Sequence, residues 1–176
     1  MKAVRPAPIG AGRRFGNGDP VISAPSLKSA YLGELRVVFA RSHIIGDTPA
    51  GARRVDCFES GHFQGPRLNA RVLPGTSDWL LGGRDGVHRP DVRVCLETDG
   101  GERLLMSYRG VRRGTPEAME RFARALPVDP ESYYLRSLIL FEAATSGPHA
   151  WLNDLVAVGI GRREPEATCY DVFEIL

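Results

Sequence analysis

Between Tyr31 and Arg41 the chain reads Tyr-Leu-Gly-Glu-Leu-Arg-Val-Val-Phe-Ala-Arg, and Leu35, Val37 and Phe39 fall on one side of a two-residue repeat. Residues spaced this way line one face of a strand, because successive side chains of extended backbone point to opposite sides. Comparable runs recur at Arg54–Phe63, Leu68–Leu73, Trp79–Leu81, Asp91–Thr98, Glu102–Val111, Tyr133–Ala143, Leu155–Gly161 and Thr168–Leu176, divided by Gly, Pro, Asp and Asn clusters that favour turns. The pattern predicts about nine strands.

One segment departs from this rhythm. In Thr115–Leu126 a capping Thr115 and a first-turn Pro116 precede Met119, Phe122 and Leu126 on one helical face, which predicts a single amphipathic helix. A shorter helical or turn segment is expected around Trp151-Leu152-Asn153. Many short strands with one helix fit a barrel or a sandwich, and a barrel has no exposed edges to protect. Two strands favour the barrel. Asp91–Thr98 sets Val92, Val94 and Leu96 against a mixed opposite face, and Tyr133–Ala143 is apolar on both sides at its middle, as a wall packed on both sides would be. The predicted fold is all-β and mainly antiparallel: a single closed β-barrel over residues 29–176, with a loose arm over residues 1–28.

The composition narrows the function classes. A chain of 176 residues fits one domain, and its net charge of +2, from 23 basic and 21 acidic residues, is too small to point to nucleic acid. The arm carries Lys2, Arg5, Arg13, Arg14 and Lys28 against Asp19 and lacks the apolar stretch of a signal peptide. No later run approaches the ~18 apolar residues of a membrane helix. Cys57, Cys95 and Cys169 lie far apart without CxxC spacing, and His43, His62, His88 and His149 lack paired ligand spacing, so neither disulfides nor a metal are expected. Gly10-Ala11-Gly12 leads into Arg13-Arg14-Phe15 without the strand and helix of a nucleotide loop. A reduced cytoplasmic protein is the expectation, with no nucleic acid and no membrane partner.

The candidate chemistry starts at Asp78. It follows the Pro74-Gly75 turn, and Trp79 beside it is expected to dry its surroundings, raising the carboxyl pKa toward a range suited to proton transfer. The alternative is an Asp78 that caps its own turn while Trp79 fills core. Tyr134, Arg136 and Glu142 share one face of their strand; if that face lines a cavity, Arg136 and Tyr134 are placed to hold an oxyanion. Arg136 and Glu142 are ~20 Å apart by strand rise, so only one of them serves such a site. Trp151, Asn153, His62 and Tyr108 complete the candidate substrate contacts, three of them with a structural alternative: barrel-end packing for Trp151, a structural histidine for His62, and apolar packing for Tyr108.

Several pieces in a fixed order resemble the small β-barrel family catalogued as domain of unknown function 3237. They are Ile45-Gly46-Asp47-Thr48-Pro49-Ala50-Gly51, Gly61-His62-Phe63-Gln64-Gly65-Pro66, Val72-Leu73-Pro74-Gly75 with Asp78-Trp79, Arg84-Asp85-Gly86, Thr98-Asp99-Gly100, Tyr134 with Arg136, Phe141-Glu142 and Trp151-Leu152-Asn153. Thr76-Ser77, Ala70 and Gly83 depart from the usual pattern, which has glycines at the first two places and an arginine at the third. The resemblance implies a β-barrel, often a homodimer, that binds or transforms a small organic molecule without a cofactor. The expected function is then an acid–base enzyme of the lyase, isomerase or cyclase type, with Asp78 as the proton carrier and Arg136, Tyr134 or Asn153 as oxyanion partner. A non-catalytic small-molecule-binding barrel and a hydrolase or esterase are the alternatives.

Overall fold

The computed structural model describes residues 26–124 and 126–176. Most of the arm expected over residues 1–28 therefore lies outside the described residues. The strands are β1 (Ser29–Thr48), β2 (Gly51–Gln64), β3 (Asn69–Val72), β4 (Ser77–Asp78), β5 (Leu81–Gly82), β6 (His88–Arg89), β7 (Asp91–Thr98), β8 (Arg103–Gly114), β9 (Tyr133–Glu142), β10 (Ala157–Arg163) and β11 (Ala167–Ile175), with one α-helix, α1 (Pro116–Ala123). All strand pairings are antiparallel.

Following the pairings around the sheet, β1, β2, β3, β7, β8, β9, β10 and β11 return to β1 and close a barrel-like ring. The three short strands patch its wall. β4 bridges β2 and β7, while β5 and β6 span from β2 to β8. The expected strand over Trp79–Leu81 is thus replaced by two short ones on either side of Trp79 and Leu80. Alternation along the chain cannot resolve pieces two residues long, because their pairing is set by neighbours distant in sequence.

The first hairpin is longer than its alternation predicts. Register shifts at Val38/Phe39, Phe39/Arg41 and Ile44/Gly46 interrupt the repeat of two, yet the β1–β2 ladder continues to Thr48 and Gly51. Each such irregularity inserts a residue and swaps the face that follows, so pairing persists where the hydrophobic pattern has ended. The tip is tied by Thr48 Oγ1, which donates to the Gly51 carbonyl at 2.7 Å and accepts from the Ala50 amide at 3.2 Å.

The inward faces fill one end of the ring with hydrocarbon. Leu32, Leu35, Phe63, Leu96, Leu104, Met106 and Ile139 are buried there, each contributing roughly 1.5–3 kcal/mol of transfer free energy. A 3-10 turn, Ala150–Asp154, adds Leu152 to this core. The helix packs at the other end. Thr115 caps it by accepting the Ala118 amide at 3.1 Å, and its Ala118 and Phe122 form a separate small cluster with Val128, Met119 and Tyr133. Leu126, expected on the buried helical face, is instead exposed past the helix end. Among the described residues no helix is long and apolar enough to cross a membrane.

Inward glycines on β10 make room for a ring on β11. A Cβ added at Gly161 would lie 2.4 Å from Leu135 side-chain atoms and 2.8 Å from the Tyr170 ring. Gly161→Ala is therefore expected to cost about 1–3 kcal/mol, the usual penalty for overpacking a filled interior. Denaturant unfolding of the variant measures it; undiminished stability would show that Leu135 and Tyr170 yield without strain.

Candidate functional site

Along three inward-facing strand tracks, apolar side chains give way to polar ones toward the helix end. On β8 the run is Leu104, Met106, Tyr108, Gly110, Arg112; on β2 it is Phe58, Asp56, Arg54; on β11 it is Val172, Tyr170, Thr168. These polar ends meet beneath α1. They surround a cavity of about 90 Å³ that Asp78 also lines, with Phe122 among its other walls.

Asp78 faces inward from β4 and is only 8% exposed. Its Cα is paired with Asp56 of β2 on one side and with Val92 of β7 on the other. The Asp91 amide donates to Oδ1 at 3.0 Å, leaving Oδ2 without a hydrogen-bond partner among the described residues. Burial raises the carboxyl pKa from 3.8 to about 6, against the lowering effects of the Asp91 amide and Arg112, while Asp56 pushes it up further. Loss of water around the carboxylate is the larger effect.

Asp56 is equally buried and has a different environment. Ser42 donates its hydroxyl to Oδ1. Arg54 donates from Nε to Oδ2 at 3.0 Å, and its Nη2 lies 3.0 Å from the same oxygen as an ion pair. Two carboxylates thus face one another across a strand pair, one clamped by a guanidinium and a hydroxyl, the other held by a single amide. Tyr108 and Tyr170 line the same cavity, with ring centroids 5.0 Å apart. Burial, reinforced by neighbouring negative charge, holds both phenols well above their usual pKa, so they remain protonated donors at neutral pH.

Arg112 enters the cavity from β8. It donates from Nη2 to His88 Nδ1 at 2.7 Å, and its guanidinium lies 4.7 Å from the Phe122 ring centre. Because arginine has no acceptor, this contact fixes His88 as the tautomer protonated on Nε2. Burial first, then Arg112 and Arg54, hold the imidazole pKa down at about 4, so His88 is neutral near pH 7. Arg163 also lines the cavity and donates to the Ala167 carbonyl and to Thr168 Oγ1.

The expected residues divide between this chamber and other places. Asp78 and Tyr108 come together in it. Trp79 does not dry Asp78: next along the chain, it points outward and is 51% exposed, and its carbonyl accepts Arg53 Nη1 at 2.6 Å. Tyr108 and Tyr170 line the cavity beside it. The expected grouping of Asp78 with Tyr134 and Arg136 does not form, since both residues are on the exposed face of β9, with the Arg136 guanidinium 4.8 Å from the Tyr134 ring centre. Glu142 shares that outer face.

Trp151 and Asn153 belong to the turn at the hydrocarbon-filled end. Asn153 accepts the Ala143 amide at 2.8 Å and donates to its carbonyl at 3.1 Å, so its amide serves the turn. Arg67 stacks on Trp151, 4.0 Å from the ring centre. His62 precedes the inward Phe63 on β2 and faces outward, opposite Arg36 and Arg71. Sequence reasoning missed Asp56, Arg54, Arg112, Arg163, Tyr170 and His88. A signal was present: a strand face that turns from apolar to charged at the same end in several strands.

Fold and chamber together define a small, closed antiparallel β-barrel protein with an acidic and basic chamber at one end. The chain belongs to the family described as "Protein of unknown function (DUF3237)", which it matches over residues 25–175. It is similar to a UPF0311 protein of Rhodopseudomonas palustris, 25% identical over 152 residues that span 86% of this chain and 99% of the relative. The crystal structure of that conserved protein of unknown function superposes with a TM-score of 0.81, over 87% of this chain and all (100%) of the other at 25% identity. A beta-barrel like protein of Acinetobacter baumannii is 32% identical, with a TM-score of 0.74 over 88% of this chain and 99% of its own. An enzyme from Penicillium herquei has the same fold at a TM-score of 0.62 and 17% identity, over 88% of this chain and 98% of its own.

Asp78 and His88 oppose one another in the pH dependence of stability. Between pH 3.8 and 6 the folded state holds the Asp78 proton more tightly than the unfolded chain, so this group lowers stability as pH rises. Between pH 6.5 and 4 the unfolded chain protonates His88 more readily, so that group lowers stability as pH falls. Relative to wild type, Asp78→Asn is expected to gain stability from pH 4 upward, reaching about 3 kcal/mol at pH 7. His88→Asn should instead gain as pH falls from 6.5 to 4. Urea unfolding across this range checks both, and parallel curves for all three proteins would contradict the burial assigned to the two groups.

Proposed function

We propose that the chain is a cofactor-independent acid–base enzyme for a small organic molecule, of the lyase, isomerase or cyclase type, with Asp78 as the proton carrier. The observation that carries this reading is the facing pair Asp56 and Asp78, whose surroundings differ. Asp56 is tied to a guanidinium and a hydroxyl, whereas Asp78, at about 6, exchanges a proton readily near neutral pH. Its Oδ2 is available to a bound molecule. The protonated Tyr108 and Tyr170 are suited to donate to an oxygen that gains charge as the proton leaves. A chamber lined this heavily with charge fits proton transfer better than carriage of a hydrophobic molecule.

Hydrogen–deuterium exchange into candidate carbon acids tests the reading while the substrate is still unidentified. Wild-type protein in D2O is incubated with a panel of enolisable ketones and oxo acids, and deuterium incorporation is followed by NMR. Exchange is expected to rise with pH around an apparent pKa near 6 and to fall in Asp78→Asn by about 10²–10⁴-fold, the usual share of a general acid–base group. Absence of exchange across the panel, or exchange undiminished in Asp78→Asn, would remove the proposal.

The expected homodimer also stands as a proposal, supported by exposed Leu138, Leu140 and Ile160 on the outer face of β9 and β10. Sedimentation of the full chain is expected to give a dimer mass, and a monomer at all concentrations would refute it.

A further inference from the structure

The chamber holds more positive charge than it can pair. Arg54, Arg112 and Arg163 share it with Asp56 and Asp78, leaving one formal positive charge in excess when Asp78 is ionised and two when it is protonated. Arg54 is used by Asp56. Among the described residues, neither Arg112 nor Arg163 has a carboxylate partner: Arg112 meets the neutral His88 and the Phe122 ring, and Arg163 meets a carbonyl and a hydroxyl. The Nε atoms of both are buried without a hydrogen-bond partner. Guanidinium groups drawn out of water without a counter-charge are costly, and partial burial of Arg163 and fuller burial of Arg112 draw both pKa values below the ordinary arginine range. Such a cost is expected where a ligand supplies the missing charge.

We infer that the chamber takes an organic anion, whose carboxylate pairs with Arg112 and Arg163 while its neutral part meets Asp78 and the two tyrosines. Guanidinium is matched to this role because its planar fork binds a carboxylate through two parallel hydrogen bonds. Arg112 is already oriented, held on one side by the His88 acceptor and on its face by Phe122. Asp78 fits the same picture: near neutral pH it can give up its own charge when an anion approaches, so the ligand does not face a fixed like charge. The inference rests on the reading that the chamber is where the small molecule binds. It adds the charge of that molecule and assigns Arg112 and Arg163 as its binding residues.

Isothermal titration of the full-length protein at pH 7.5 and low salt, comparing acetate with acetamide and benzoate with benzamide, tests the inference. At least one acid is expected to bind ten-fold or more tightly than its amide, and Arg112→Gln and Arg163→Gln should each reduce that preference at least five-fold. Asp78→Asn should keep or strengthen acid binding, since it removes a negative charge from the chamber. If Arg112→Gln does not fold, Arg163→Gln and the wild-type comparison decide. No acid preference in the wild type, or a preference that survives the arginine substitutions, would overturn the inference. The outcomes separate from those of the proton-transfer reading: arginine-dependent acid binding without Asp78-dependent exchange removes only that reading, whereas Asp78-dependent exchange on neutral ketones without acid preference removes only the anion.

Discussion

Closure of the sheet is the constraint from which the rest of this structure follows. Once β1 pairs with both β2 and β11, every inward side chain of the ring must share one enclosed volume. At one end that volume is filled by Leu32, Phe63, Leu104 and Leu152. At the other, charged groups enter the same interior, where water that would otherwise stabilise them is largely excluded. The unusual titration of Asp78 and His88 originates there, since for each group burial is the foremost cause of the shift. Opening the wall would restore solvent and relax the shift of Asp78.

The chamber is built so that no single element owns it. Asp78 sits on a two-residue strand that exists only because β2 and β7 flank it. Tyr170 fits because β10 presents Gly159 and Gly161 opposite it, and Arg112 is held by a histidine from β6 and an aromatic ring from α1. Local changes in any of these elements therefore reach the carboxylates through packing. The helix contributes only a small hydrophobic cluster of its own, separate from the main core. Its position over the charged end makes Phe122 a wall of the chamber and a partner of Arg112 at once.

Opposed effects also balance within the chamber. Asp78 favours the folded state when protonated, and His88 favours it when neutral, so a change in pH between their shifted values weakens one contribution while strengthening the other. The arrangement accommodates a titrating carboxyl without concentrating the whole electrostatic cost at one pH. Together with unmatched Arg112 and Arg163, it gives an interior in which charge is adjustable at one carboxylate and fixed at the guanidinium groups.

The sequence by itself determined the strand-rich, antiparallel class and, among the described residues, the amphipathic helix with its Thr115 cap, because each is signalled by spacing along the chain. It also located Tyr108 on the face of Leu104 and Met106, where the structure has it. It could not choose the inner face of β9: alternation gives two faces, both apolar at mid-strand, and the one bearing Tyr134 and Arg136 proved to be the outer. Nor could it place Asp56 beside Asp78. Those residues are 22 positions apart and meet through strand pairing, and adjacent Trp79 points away from the cavity that Asp78 shares with tyrosines of β8 and β11. Alternation fixes which side chains share a face, but only closure of the ring decides which face is inside and which distant residues become neighbours there.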